Sequence, residues 1–199
     1  MSSPWNVALT HGRIGVRPIR RSDVPRWERL RAENQQWLTP WDATLPPGEA
    51  QQVTTYRQMV GALRRKAKRG EWMPFVSTWD GRMVGQVTAS MISRGPAQSA
   101  SVGYWVAADH AGRRITPTAV ALVCDHLFGA AGLHRVDVAI RPENHASLAV
   151  VRRLGFTEIG LAPKYLHIDG AWADHRLFQL LSEDVRGRVI DRVDTPVER

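Results

Sequence analysis

His110-Ala111-Gly112-Arg113-Arg114-Ile115-Thr116-Pro117-Thr118-Ala119-Val120 opens the stretch whose reading decides the fold. An apolar helical run follows, then the β-branched segment Val136-Asp137-Val138-Ala139-Ile140. The stretch closes with Arg141-Pro142-Glu143-Asn144-His145-Ala146-Ser147, a second helical run and Leu154-Gly155-Phe156. Thr116 is a suitable N-cap and Pro117 suits the first helical position, so a helix is expected to start at Pro117. Its free N–H groups and positive dipole end would face the turn 111–116. Gly112 permits a tight turn, and Arg113 and Arg114 add charge. Gly112, Arg113, Arg114, Ile115, Thr116 and Pro117 thus form a candidate pyrophosphate cradle. An ordinary loop-to-helix junction with nearby arginines would read the same way.

Working outward, the helix carries Ala119, Val120, Leu122, Val123, Leu127 and Phe128 at roughly i, i+3, i+4 spacing and ends near 129–132. Residues 136–140 read as a buried strand. Pro142 pushes Arg141 out of helical geometry and ends it. Asn144 caps the next helix, and Gly155 is the expected left-handed residue beyond its end. The result is a β-α-β-α unit with parallel character. Upstream, residues 13–19 alternate like a strand, and Ser22 or Asp23 can cap a helix over 24–34. Residues 37–48 form a Pro- and Trp-rich loop, and 48–69 a second helix. Strands follow at 73–79, 82–93 and 99–107, then at 157–168 and 172–181. Asp80-Gly81 and Asp169-Gly170 mark hairpin turns. Residues 183–199 lack a sustained apolar face, which predicts a short helix or a frayed tail.

At 199 residues with 43% apolar content, one globular domain is expected. No run is long enough to span a bilayer and no signal-peptide pattern opens the chain. These features imply a cytoplasmic protein with no membrane partner. Cys124 is the single cysteine, so no internal disulfide forms, and its apolar helical surroundings mark it as a core thiol. The net charge is +8, carried almost wholly by arginine; lysine occurs at 66, 68 and 164. Such a balance favours acidic partners. The patch Arg64-Arg65-Lys66-Ala67-Lys68-Arg69 reads as a solvated helix end without aromatic interleaving, so no direct nucleic-acid binding is required. No metal is expected.

The Gly112-Arg113 turn, the Asn144-x-x-Ser147 cap and the Leu154-Gly155-Phe156 exit resemble the acetyl-CoA-binding half of GNAT N-acetyltransferases. Trp37-Leu38-Thr39-Pro40-Trp41, Val102-Gly103-Tyr104-Trp105-Val106, Gly132-Leu133-His134-Arg135-Val136, Pro142-Glu143-Asn144 and 165–175 narrow the resemblance to the RimJ-type branch, which acetylates N-terminal amino groups, typically of ribosomal proteins. The resemblance runs from about residue 14 to 184. It implies an α/β GNAT fold: one mixed twisted sheet of about six to seven strands, with helices on both faces. The domain would span 1–184, with a polar tail over 185–199. The chain departs from the family at Arg114, where glycine is usual, at Thr116, often glycine or alanine, and at Pro117-Thr118, commonly Thr-Glu. That implies a variant loop geometry or reduced affinity for the cofactor.

The chemistry implied is direct attack of a neutral primary amine on the acetyl group of acetyl-CoA. Backbone N–H groups near Trp105 and Val106 are candidates to polarise the carbonyl, provided their strand splays from its neighbour. The resemblance carries two roles to the cap: Asn144 on the pantetheine arm, and Ser147 as proton donor to the departing thiolate. Asp174 and His175 alternate on one strand, so one of them faces the cleft. His175, Asp174, Glu143, Tyr104, Tyr165 and a water chain are the candidate bases. Trp37, Trp41, Tyr104 and Tyr165 are candidates for acceptor binding. The expected acceptor is a protein N-terminus, in particular of a ribosomal protein; the alternatives are a small-molecule amine or a degenerate acyl-CoA-binding module. A monomer or a homodimer is expected.

Overall fold

The computed structural model describes residues 5–48 and 55–194. The chain runs β1 (Leu9–His11), β2 (Ile14–Pro18), α1 (Val24–Glu33), α2 (Gln35–Leu38), α3 (Tyr56–Lys68), β3 (Met73–Trp79) and β4 (Arg82–Ser93). Then come β5 (Ser99–Val106), α4 (Ile115–Phe128), β6 (Arg135–Ile140), α5 (His145–Arg153), β7 (Thr157–Ile168) and β8 (Ala171–Leu181). The strands form one eight-stranded sheet in the order β1-β2-β3-β4-β5-β6-β8-β7. β5 and β6 run parallel, and the other described pairings are antiparallel. The strand beyond the expected six to seven is β1, three residues joined to β2 through Gly12 at φ 56°. Three residues are too few to show a period.

Both turns named from Asp-Gly pairs are present with positive φ at both residues: 48° and 76° at Asp80-Gly81, and 47° and 83° at Asp169-Gly170. This is the hairpin geometry whose twist matches the flanking strands. β3 is buried on both faces from Met73 to Thr78, which requires cover on both sides of the sheet. α1 and α3 pack together over β3 and β4, while α4 lies across β1 to β6 and touches α5. Phe75 meets the ring of His126 on α4 edge-on at 6.3 Å.

Several boundaries differ from the sequence reading. α4 starts at Ile115 rather than Pro117; Arg114 is the residue before it, at φ 58°, and Pro117 sits inside the first turn. The lack of an N–H at Pro117 is harmless there too. α4 is also buried on almost every side instead of along one stripe, because the sheet, α5 and the C-terminal segment all cover it. The expected loop over 37–48 begins in helical turns, at 35–38 and 39–41. α3 begins at Tyr56 behind a Thr55–Gln58 capping box, and Gly48 lies in a turn; the intervening residues expected to be helical fall outside the described residues. Asp23 does not cap α1 by bonding a helix N–H. Its carboxylate accepts from Arg20 N at 2.7 Å and from Arg17 at 2.7 and 2.9 Å.

The described part of the segment read as a polar tail, residues 185–194, is packed down. Val189, Ile190 and Val193 are buried, and the Asp125 carboxylate of α4 accepts from the N–H groups of Val189 and Ile190 at 2.6 and 3.1 Å. Burial raises the pKa of Asp125, and those two N–H groups oppose the rise. The apolar residues here are spaced around a single 3-10 turn, too short to register as a periodic face.

What places the site is the divergence of β5 from β6. Their pairing covers Ser99 to Ser101 against Arg135 to Asp137 and then stops. β5 stays on β4 as far as Val106, whereas β6 stays on β8 as far as Ile140. The expected splay is therefore present, and α4 and α5 start at its mouth.

Candidate active site

A continuous groove enters the splay. Its outer cavity, about 390 Å³, is lined by Trp37, Gly112, Arg114, Thr116, Ala146 and Arg153 among others. A central cavity of about 340 Å³ adds Trp41, Tyr104, Trp105, Glu143, Asn144 and Ser147. The innermost, about 180 Å³, ends on Gly103, Val138, Arg141 and His175. Trp37 and Thr116 belong to the outer and central cavities; Trp41, Tyr104, Asn144 and Ser147 to the central and inner ones.

The outer end is a backbone device. Gly112 has φ 76° and Arg114 φ 58°. Arg114 thus adopts the left-handed conformation that a glycine takes without cost, and a glycine would fit the same path. The N–H groups of Gly112, Arg113, Arg114, Ile115 and Thr116 make no hydrogen bond to the described chain. They sit at the positive end of α4, a donor set that fits a pyrophosphate. Behind them the Thr118 hydroxyl donates to Arg114 O at 2.7 Å and fixes the turn. The Arg114 side chain reaches Asp194 at 3.4 Å, and Arg113 is exposed and does not line the groove.

Along the groove, β5 presents alternate groups. Ala107 N donates to Val84 O, which makes Trp105 a hydrogen-bonded partner of Gln86. A Cβ at Gly85 would collide with the Trp105 carbonyl, in keeping with that direction. The Trp105 N–H is therefore turned to β4, and those of Tyr104 and Val106 open into the splay. Of the two donors expected from the sequence, Val106 faces the groove and Trp105 does not, although Trp105 lines it.

At the start of α5 the Asn144 side-chain oxygen accepts from Ser147 N at 3.0 Å. The cap consumes that oxygen and leaves the Asn144 amide N–H groups for a ligand. The Ser147 hydroxyl makes no hydrogen bond with the described residues, while its carbonyl accepts from the Tyr104 hydroxyl at 3.4 Å. Burial drives the Tyr104 pKa upward, so this phenol stays protonated and acts as a donor.

His175 is 3% exposed at the inner end. Its Nδ1 lies 3.0 Å from Ala173 O, and a carbonyl can only accept, so Nδ1 carries the proton and Nε2 is left as an acceptor. Burial lowers its pKa, which keeps the ring neutral. Asp174 points the other way and accepts from Lys164 N at 2.8 Å. Alternation on β8 has put His175 inside and Asp174 outside. Tyr165 does not line the groove; its ring is edge-on to His175 at 5.9 Å. Glu143 lines the central cavity and pairs with Arg141 at 3.2 Å. Cys124 is fully buried with a raised pKa, as a core thiol should be.

The sequence reading missed the residues that hold the aromatic wall. Arg141 donates to Pro40 O at 3.0 Å, with its guanidinium 5.7 Å from the Trp41 ring centre. Arg31 pairs with Asp42. Thr44 Oγ1 lies 2.8 Å from His167 Nδ1 and accepts from Gly170 N at 3.1 Å, and Ala43 bridges to Ile168. The segment after Trp41 is thereby clasped to the β7–β8 turn. His167 lies inside a quoted motif, yet nothing in its spacing pointed to Thr44.

Residues 13–157 match the acetyltransferase (GNAT) domain family. The chain is 30% identical over 177 residues to a probable N-acetyltransferase, YjcK, of Bacillus subtilis, covering 86% of this chain and 95% of that one. It is 27% identical over 180 residues to the ribosomal protein uS5 alanine N-acetyltransferase of Escherichia coli, covering 89% and 92%. Among solved structures, Mycobacterium smegmatis RimJ in complex with CoA-disulfide superposes with a TM-score of 0.90 at 36% identity, covering 97% of this chain and 96% of that one. Among the described residues no helix is long and apolar enough to cross a membrane.

Proposed function

The chain belongs to the GNAT acetyltransferase family, and from that premise we propose that this acetyl-CoA-dependent N-acetyltransferase takes as acceptor the N-terminal amino group of a protein, of the ribosomal alanine or serine type. Acetyl-CoA, when bound, supplies the acetyl group as an activated thioester. The free N–H groups of 112–116 would hold its phosphates, and the Val106 N–H and the Asn144 amide its arm. The Tyr104 N–H, which also opens into the splay, is then left to polarise the acetyl carbonyl. Nε2 of His175 takes the proton from the incoming ammonium, directly or through water, and the Ser147 hydroxyl gives a proton to the departing thiolate.

The observation that carries the acceptor reading is the chamber between Trp37, Trp41 and Tyr104, which ends on a buried neutral imidazole. Flat aromatic walls suit a peptide backbone with a small first side chain. The ribosomal substrate named for the uS5 relative of Escherichia coli supports the same class. Peptides beginning with Ala or Ser should be acetylated faster than the same peptides with a blocked N-terminus and a free lysine. The rate should rise with pH until the amine, with a pKa of about 8, is neutral. Turnover of polyamines or aminoglycosides with none of peptides would sink this reading in favour of a small-molecule acceptor.

A further inference from the structure

After Ser101, β5 has no strand on its β6 side, yet its outer end is not bare. In a parallel ladder one partner residue bonds the C=O of residue i and the N–H of residue i+2. At the end of β5 that rung consists of Val106 C=O and Ala108 N–H. Trp37 Nε1 donates to the former at 3.1 Å, and Asn34 Oδ1 accepts from the latter at 2.7 Å. Both side chains come from the corner between α1 and α2, so the corner stands in for a strand residue at this rung. The next rung inward, Tyr104 C=O with Val106 N–H, is left open by the departure of β6. Asn34 is 9% exposed and also donates to Leu30 O at 2.9 Å, which anchors the corner. Trp37 is 40% exposed and lines the groove on both sides of this point.

We propose that Trp37 is a positioning residue that ends the open edge of β5 and thereby sets the register in which the amide-bearing arm of acetyl-CoA adds to that strand. An extended chain with amide groups pairs with any free strand edge, and a two-residue slip costs no hydrogen bond if the next rung is open. Such a slip is roughly 6–7 Å. An outward slip would draw the thioester away from Ser147 and His175. Trp37 on Val106 C=O and Asn34 on Ala108 N–H together close that rung, and loss of the Trp37 N–H reopens its acceptor half. The inference rests on the cofactor and is indifferent to which amine is the acceptor.

Trp37→Phe keeps a ring and removes the N–H; replacement of Trp37 by β-(3-benzothienyl)alanine keeps the whole indole shape and removes only the donor. Both should lower kcat by about 10- to 100-fold, with any amine the wild type turns over, while the calorimetric Kd for CoA stays within about threefold. In the wild type the Trp37 indole N–H should remain protected from hydrogen exchange, read by NMR, when CoA is added. Unchanged kcat in the benzothienyl variant overturns the proposal. So does loss of indole protection on CoA binding, which would make Trp37 a competitor of the cofactor and not its stop. Failure of peptides as acceptors would leave these readings intact and fall on the acceptor assignment alone.

Discussion

At the outer end of the groove the groups proposed for the cofactor are backbone N–H groups of residues 112–116; at the inner end the proposed groups are the side chains of Ser147 and His175. At the outer end Arg114 stands where the resemblance expects glycine, and it adopts φ 58°, a conformation that glycine shares. The inner end has no such freedom. Its tautomer is set by one carbonyl, Ala173 O, and its choice of His175 over Asp174 by the pleat of β8. A site made of backbone survives substitution as long as the path survives; a site made of side chains depends on each residue's identity.

That contrast is sharpest at His175. His175→Gln preserves volume and removes the base, and should lower kcat by about 10² to 10⁴-fold. The pH profile should change with it. Burial holds the His175 pKa below its ordinary value, so in the wild type the base is already neutral above about pH 6.5. Below that, protonation should add an acid limb beneath the one set by the amine, and the Gln variant should keep only the amine's limb. Stability follows the same sign. The unfolded chain binds this proton more readily, so the folded protein loses stability as pH falls through the imidazole range, and thermal melting of the variant should lack that component. An unchanged kcat in the variant would shift the proton to water and break the contrast.

Ser147→Ala should have a smaller effect, roughly 10- to 10³-fold in kcat with little change in CoA affinity, because the Asn144 cap uses the Ser147 N–H and not its hydroxyl. An unaffected kcat would reduce Ser147 to part of a helix start. The smallest effect is expected at the outer end. Arg114→Gly relieves a left-handed side-chain residue and should raise stability by about 0.5–1 kcal/mol, seen as a melting shift of a few degrees. Its exposed charge is lost, which should weaken CoA binding by no more than about fivefold. A large loss of affinity would mean that the guanidinium, and not the backbone, holds the phosphates.

The same division explains what was legible in the sequence. Strands β3 to β8 and both Asp-Gly hairpins follow from alternation and turn chemistry, which are local. The Asn144 cap and the left-handed Gly155, at φ 71°, were equally visible. The start of α4 was misplaced by two residues because Thr116-Pro117 is a better local start than Arg114-Ile115. The packing of Ile115, 1% exposed, won over that preference. Contacts between distant segments were not legible at all: Asn34 with Ala108, Arg141 with Pro40, and Thr44 with His167 are separated by 74, 101 and 123 residues. No periodicity spans such intervals. The choice of His175 over Asp174 also needed the register of β8 against β6 and β7.

The strand that carries His175 enters the sheet between β6 and β7, although it is the last strand among the described residues. Synthesis proceeds from the N-terminus, and domains fold as their segments emerge. On the ribosome, the residues proposed to hold the cofactor's phosphates emerge before β8, although α4 is not fully covered until residues 189–193 follow. The proposed proton acceptor arrives with β8, which is also the strand that joins β7 to the sheet. The eight-stranded sheet, and with it the proposed site, is therefore completed only after β8 has been inserted between β6 and β7.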